Sequence, residues 1–279
     1  MSAALDWPVA RGGAAVVTRD HVEWLWAPGT EVEAEWEVAS VTKLLTAMAA
    51  LAATESGHLD LDQRVDEEGA TVRHLLAHAS GLPQTLGQGR RRSVGERRIY
   101  SNAGFRLLGE VVADAVGTSF PGWLASSVLD PLGLGRTRLA DRLGVREDPA
   151  AGVWSTMADL VTFARCLLDR GAPVVGAELF AEATSVQFPG LAGLLPGVGR
   201  FDPNDWGLGF ELHDGKRPHW MGERRSPAAF GHFGASGCFL WVDPDAELAA
   251  VGVSDRPFDD GRWAMSTWPR WSDGLPAAT

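Results

Sequence analysis

Ser40-Val41-Thr42-Lys43 sets a hydroxyl and an amine three residues apart, and Tyr100-Ser101-Asn102 sets a phenol beside an amide. Serine is a weak nucleophile until a base takes its proton. Lysine can be that base only when desolvation or a neighbouring positive charge keeps it neutral. On a helix, positions i and i+3 share a face, and a helix N-terminus puts partial positive charge where an acyl oxyanion would form. A phenol near Lys43 can shuttle protons between nucleophile and leaving group, and Asn102 offers both a donor and an acceptor. The plainer alternative is a capping serine with a solvated lysine, and a buried tyrosine with a capping asparagine. Scarcity weighs against it, because the chain has one tyrosine, two lysines and two asparagines in 279 residues. About 0.1 Ser-x-x-Lys and about 0.01 Tyr-x-Asn matches are expected by chance.

A third segment, Gly231-His232-Phe233-Gly234-Ala235-Ser236-Gly237, reads as a strand running into a glycine-rich bend. Glycine in a strand often marks close approach of backbone to a ligand, and the Ala235 amide is the natural partner of the Ser40 amide in an oxyanion hole. Taken alone, His232 reads more commonly as a satisfied core histidine.

These groups need elements to hold them. Residues 14–17 and 22–26 alternate like a hairpin around the polar stretch 18–21. Leu44, Leu45, Met48, Leu51 and Ala52 then repeat at helical spacing, with Ser40 at the entry and Gly57 past the end. Helices are predicted over 72–78, 103–116, 120–129 and 156–169, joined by Gly/Pro loops. Residues 188–205 have no usable periodicity and read as a passage back to strands at 208–212, 228–233, 238–242 and 248–253. A Trp-rich helix over 261–271 closes the chain. The pattern divides into an α/β domain, 1–58 with 201–279, and a helical domain, 59–200.

A formal net charge of -11 argues against nucleic acid or an anionic membrane as partner. No apolar run reaches membrane-spanning length and residues 1–9 lack a signal-peptide pattern, so a cytoplasmic protein is expected. Cys166 and Cys238 are expected to be reduced thiols. His74 and His78 have a spacing that can bind metal, but no adjacent acid completes a motif, so none is expected. No Gly-x-Ser-x-Gly elbow and no nucleotide fingerprint occurs, and no cofactor is expected. Arg90, Arg91, Arg92, Arg97 and Arg98 crowd the approach to Tyr100, as a solvated loop or as a basic rim for an anionic part of the substrate.

The segments Ser40-Val41-Thr42-Lys43, Leu75-Leu76-Ala77-His78-Ala79-Ser80-Gly81-Leu82-Pro83, Tyr100-Ser101-Asn102-Ala103-Gly104-Phe105 and His232-Phe233-Gly234 resemble, in order, the motifs of the serine β-lactamase and penicillin-binding-protein-like superfamily. The nearest branch is that of class C β-lactamases and family VIII carboxylesterases. The resemblance implies an α+β fold, an antiparallel sheet flanked by helices with an inserted all-helical region. It also implies roles: Ser40 as acylated nucleophile, Lys43 as base or relay, Tyr100 as general base and acid, Asn102 as positioning residue, and the Ser40 and Ala235 amides as oxyanion hole. His232-Phe233-Gly234 stands where β-lactamases and D-alanyl-D-alanine peptidases usually have Lys-Thr/Ser-Gly. That loses the groups that hold a substrate carboxylate. The expectation is therefore a carboxylesterase acting on a small-molecule acyl substrate, with His232, Phe233 and Gly234 against it. A β-lactamase or peptidase, a biosynthetic acyltransferase or cyclising thioesterase, and a non-catalytic binding relative are the alternatives.

Overall fold

The computed structural model describes residues 3–85, 87, 89, 92–139 and 147–277. Its centre is a seven-stranded sheet in the order Ala3–Ala4, Val22–Trp26, Gly12–Val17, Leu248–Ser254, Cys238–Asp243, Phe230–Gly234, Glu211–Leu212. Every pairing is antiparallel except that of the first strand with Val22–Trp26. The predicted hairpin and the four predicted returning strands form the sheet, and Gly12–Val17 against Leu248–Ser254 joins the two halves of the sequence.

Three neighbouring strands are buried along their whole length, so the sheet is covered on both faces. Strand periodicity of two assigns each residue to a face. Leu240, Val242, Val251 and Val253 join the core built with helices Thr42–Glu55 and Met157–Leu168. Phe239, Trp241, Leu248 and Ala250 join a tryptophan-rich core with Trp7, Trp206, Trp220, Trp263 and Trp268. The helix Trp263–Asp273 supplies two of those indoles, as expected of a closing Trp-rich helix. Met157–Leu168 lies within the span expected for the helical region, yet it packs on the sheet, against Gly12–Val17, Cys238–Asp243 and Leu248–Ser254.

Helices Asn102–Val116 and Phe120–Leu124 pack against Thr42–Glu55 and each other, and Val72–Leu76 packs against Asn102–Val116. Four predictions change. The helix expected over 120–129 is α-helical only in Phe120–Leu124 and continues as a π-helical turn, Ala125–Leu129, and of the strand expected over 208–212 only Glu211–Leu212 pairs. The helix expected over 72–78 stops at Leu76, because His78 turns into positive φ (54°). Within 188–205 lies a short hairpin, Gly193–Leu195 against Gly199–Phe201, whose first strand pairs in parallel with Arg98–Ile99. Strands of three residues are too short to show a period. Both cysteines are free and buried, and burial pushes the Cys166 thiol up to about 12 and that of Cys238 to about 11. Among the described residues no helix is long and apolar enough to cross a membrane.

Candidate active site

The helix that carries Lys43 is apolar almost all round, with 12 of its 14 residues buried, so the core fixes it on every side. Ser40 lies just before it, in the 3-10 turn Ala39–Val41, rather than in its first α-helical turn. Ala39 takes φ +45°, a strained value for alanine, and strain of this kind persists only where the surroundings over-determine it. Gly234 is part of that surrounding. A Cβ on Gly234 would lie 2.4 Å from the Val38 carbonyl oxygen and 3.1 Å from Ala39 Cβ, so only glycine lets the strand end approach the turn.

Tyr100 stands between the strand Arg98–Ile99 and the helix Asn102–Val116. Ser101 caps that helix, accepting from the Gly104 amide (2.8 Å) and donating to the Pro83 carbonyl (2.7 Å). The Ser101 amide donates to His78 Nδ1 (3.1 Å), and the buried His78 ring packs on Tyr100, Phe105 and Trp206. The Ser80-Gly81-Leu82-Pro83 segment thus supports the tyrosine. His74 is engaged elsewhere, paired with Thr71 in a capping box and stacked on Phe188 (4.2 Å), so the two histidines do not converge on a metal.

Ser40 Oγ receives two hydrogen bonds, from Tyr100 Oη (2.7 Å) and from Lys43 Nζ (3.3 Å). Lys43 Nζ also donates to Asn102 Oδ1 (2.7 Å) and to the Ala150 carbonyl (2.8 Å). The amine is fully buried, and desolvation lowers its pKa to about 7, with the Asp148 carboxylate opposing the fall and the Arg106 guanidinium adding to it. Near neutral pH, Lys43 is therefore about half free base. Tyr100 goes the other way, its pKa raised by desolvation against a small opposing effect of the Ser40 bond, so it is a neutral phenol. Of the two, Lys43 is the group able to accept a proton in the resting site, and Tyr100 is a donor.

A cavity of about 300 Å³ opens onto this cluster, lined by Ser40, Tyr100, Asn102, His232, Ala235 and Pro196 among others. His232 is buried, its pKa lowered to about 3 by desolvation and by the Lys43 charge, against the hydrogen bond to Phe233. Its Nδ1 lies 2.7 Å from the Phe233 carbonyl oxygen. A carbonyl only accepts, so the proton is on Nδ1 and Nε2 keeps its lone pair. Nε2 is buried without a partner among the described residues.

Of the predicted site residues, Ser40, Lys43, Tyr100 and Asn102 form one hydrogen-bonded cluster, and His232 and Ala235 border the same cavity. Gly234 does not line it; the lack of a side chain there serves the contact with Val38. Phe233 touches the cavity, but it is mainly a core residue, 8% exposed and stacked on Phe258 (4.4 Å). Trp206 stands behind Tyr100 and His232, and Trp220 is likewise buried. Arg98 leaves the proposed basic rim. It is buried and donates to the carbonyls of Ala77, Gln187, Phe188 and Asn204, fastening Tyr100's segment to the 187–205 loop. Arg90 and Arg91 lie outside the described residues. Sequence reasoning missed the Ala150 carbonyl and the Arg106–Asp148 pair. A carbonyl leaves no trace in residue type, and Asp148 is 105 positions from Lys43.

The sheet, the helical insertion and a serine joined to a buried amine and a phenol define a serine-hydrolase-type protein. The chain belongs to the Beta-lactamase family, whose sequence model matches residues 5–268. It is similar to a solved structure described as a beta-lactamase from Mycobacterium bovis, with 46% identity, a TM-score of 0.89 and coverage of 96% of this chain and 94% of that one. Penicillin-binding protein 4 of Amycolatopsis lactamdurans is 28% identical over 90% of this chain and 77% of its own length. Penicillin-binding protein 4* of Bacillus subtilis matches only in part, 29% identical over 38% of this chain, which spans 31% of that protein.

Proposed function

We propose that the protein is a carboxylesterase working through an acyl-Ser40 intermediate. The neutral Lys43 amine takes the Ser40 proton as Oγ attacks the ester carbonyl carbon. The tetrahedral oxyanion is held by the amides of Ser40 and Ala235. Tyr100 gives its proton to the departing alkoxide, and the resulting phenolate is stabilised by the Lys43 ammonium, whose Nζ lies 4.7 Å from the ring centroid. Water then gives up a proton to the phenolate, attacks the acyl carbon and releases Ser40, which recovers its proton from Lys43. Asn102 keeps Lys43 on Ser40 through the bond to its Oδ1.

The observation that carries the choice of substrate is His232. At the position where the family usually sets an ammonium, this chain has an imidazole that is uncharged and presents an acceptor. An acceptor repels a carboxylate and suits a substrate donor or the incoming water. That favours an ester over a β-lactam or a D-alanyl-D-alanine peptide. An alcohol held at His232 Nε2 in place of water would give acyl transfer.

Intact-protein mass spectrometry after an activated ester or a fluorophosphonate should show one adduct, mapped to Ser40 and lost in Ser40→Ala. Steady ester hydrolysis with Ser40 never acylated would overturn the mechanism. Nitrocefin turned over faster than aryl esters would overturn the substrate class, and product partition between water and added alcohols measures transfer.

A further inference from the structure

Beside the catalytic cleft is a second cavity of about 390 Å³ that shares Gln84, Tyr100 and Pro196 with it. Four arginines line it, Arg92, Arg97, Arg98 and Arg200, and no Asp or Glu does; the Arg98 guanidinium is the one already taken up by backbone carbonyls. In a chain of net charge -11 this is a local reversal of sign. Arg92 is paired on its outer side with Glu96 (3.4 Å), whereas Arg97 and Arg200 have no ion-pair partner among the described residues. The hairpin Gly193–Leu195 with Gly199–Phe201 sets Leu194 directly opposite Arg200, so the two side chains share a face. Leu194 lines the same cavity and is 52% exposed, one of three exposed large apolar residues described. Apolar wall, unpaired guanidinium groups and Tyr100 thus meet in one hollow beside Ser40's cleft.

We propose that this hollow is a subsite for an anionic group, a carboxylate or a phosphate, carried on a short apolar arm of the ester and held by Arg97 and Arg200 with the arm against Leu194. The proposal rests on the esterase reading and narrows it. The substrate is uncharged at the reacting carbonyl and at His232, and negative beyond Tyr100. Guanidinium forks bind such oxyanions through paired N–H donors.

The test uses two matched pairs of esters. Monophenyl glutarate against phenyl pentanoate places the anion on the acyl arm, and 4-carboxyphenyl pentanoate against phenyl pentanoate places it on the alcohol. Measure kcat/KM for each with the wild-type chain and with Arg97→Gln/Arg200→Gln, and measure binding of the intact esters to Ser40→Ala, with and without those changes, by calorimetry. The ratio of anionic to neutral ester, in at least one pair, should fall about tenfold in the double variant. It should also shrink as sodium chloride is raised, since the guanidinium groups are solvent-exposed. Unchanged ratios in both pairs, or equal losses on anionic and neutral esters, would overturn the subsite. Failure of the esterase reading looks different. Neither ester is then hydrolysed, while the Ser40→Ala protein still reports whether it prefers the anion.

Discussion

If Lys43 is the base, the rate of Ser40 acylation must follow its titration. With a pKa of about 7, the neutral fraction rises from about 0.1 at pH 6 to about 0.9 at pH 8, so acylation should climb about tenfold across that interval. An ordinary lysine would be only about 0.3% neutral at pH 8, so the burial seen here supplies roughly 300-fold more free base at that pH. Stopped-flow release of p-nitrophenol in the first turnover isolates the step from deacylation. Two substitutions then separate cause from coincidence. Asp148 and Arg106 are joined by two hydrogen bonds (2.6 and 3.1 Å), and the Ala150 amide donates to Asp148 Oδ1 (2.9 Å) one peptide away from the carbonyl that Lys43 holds. The Asp148 charge raises the Lys43 pKa and the Arg106 charge lowers it. Asp148→Asn should therefore move the acid limb to lower pH and Arg106→Gln should move it to higher pH. Generic loosening would not displace it in opposite directions. A limb that stays above pH 9 in the wild-type chain, or that moves the same way in both variants, refutes Lys43 as the titrating base.

Asn102→Asp puts a carboxylate where Lys43 finds a neutral acceptor, which favours the ammonium; the acid limb should move up and acylation at pH 7 should fall. Gly234→Ala drives a methyl against the Val38 carbonyl, and kcat/KM should drop at least tenfold, read in the same ester assay, with a thermal midpoint only a few degrees lower. Glu211 is buried, with Lys216, His219 and Trp220 bonded to it. Burial alone would raise its pKa, yet the charges and hydrogen bonds of His219 and Lys216 hold it down to about 2. A carboxyl depressed in the folded state stabilises above its unfolded pKa, so about 3 kcal/mol should be lost as pH falls from 4.5 to 2. Denaturant melts across that range should show the loss in the wild-type chain. Glu211→Gln, which leaves Lys216 without its counter-ion, should already be about 3–5 kcal/mol less stable at pH 7.

Most of the reacting cluster was legible because its residue types are rare here and their short-range spacing is dictated by helix geometry. Ser40 and Lys43 needed only one turn of chain to meet. Tyr100 needed the fold, and its motif order supplied that. At the third motif the difference is at Gly234. It shares a strand face with His232 but meets Val38 at the strand end instead of lining the cavity, whereas Phe233, on the other face, touches the cavity with most of its ring in the tryptophan-rich core. Arg98 shows the opposite limit. Nothing in Arg97-Arg98 says which guanidinium is solvated, because that depends on carbonyls more than 85 residues away. The Arg106–Asp148 pair was invisible for the same reason.

Both lysines are buried, Lys43 at 0% exposure and Lys216 at 5%, and all remaining basic side-chain charge outside histidine is arginine. The outer surface of the native protein therefore carries no side-chain amine. Succinimidyl esters, aldehyde fixatives and amine-coupled supports find nothing there to hold, and a lysine-specific protease has no accessible bond until the chain opens. Any such reaction on a side chain becomes a report on opening of the interior: Lys216 stays locked against Glu211, and Lys43, half deprotonated near neutrality, is covered by Ser40, Asn102, Tyr100 and Phe105.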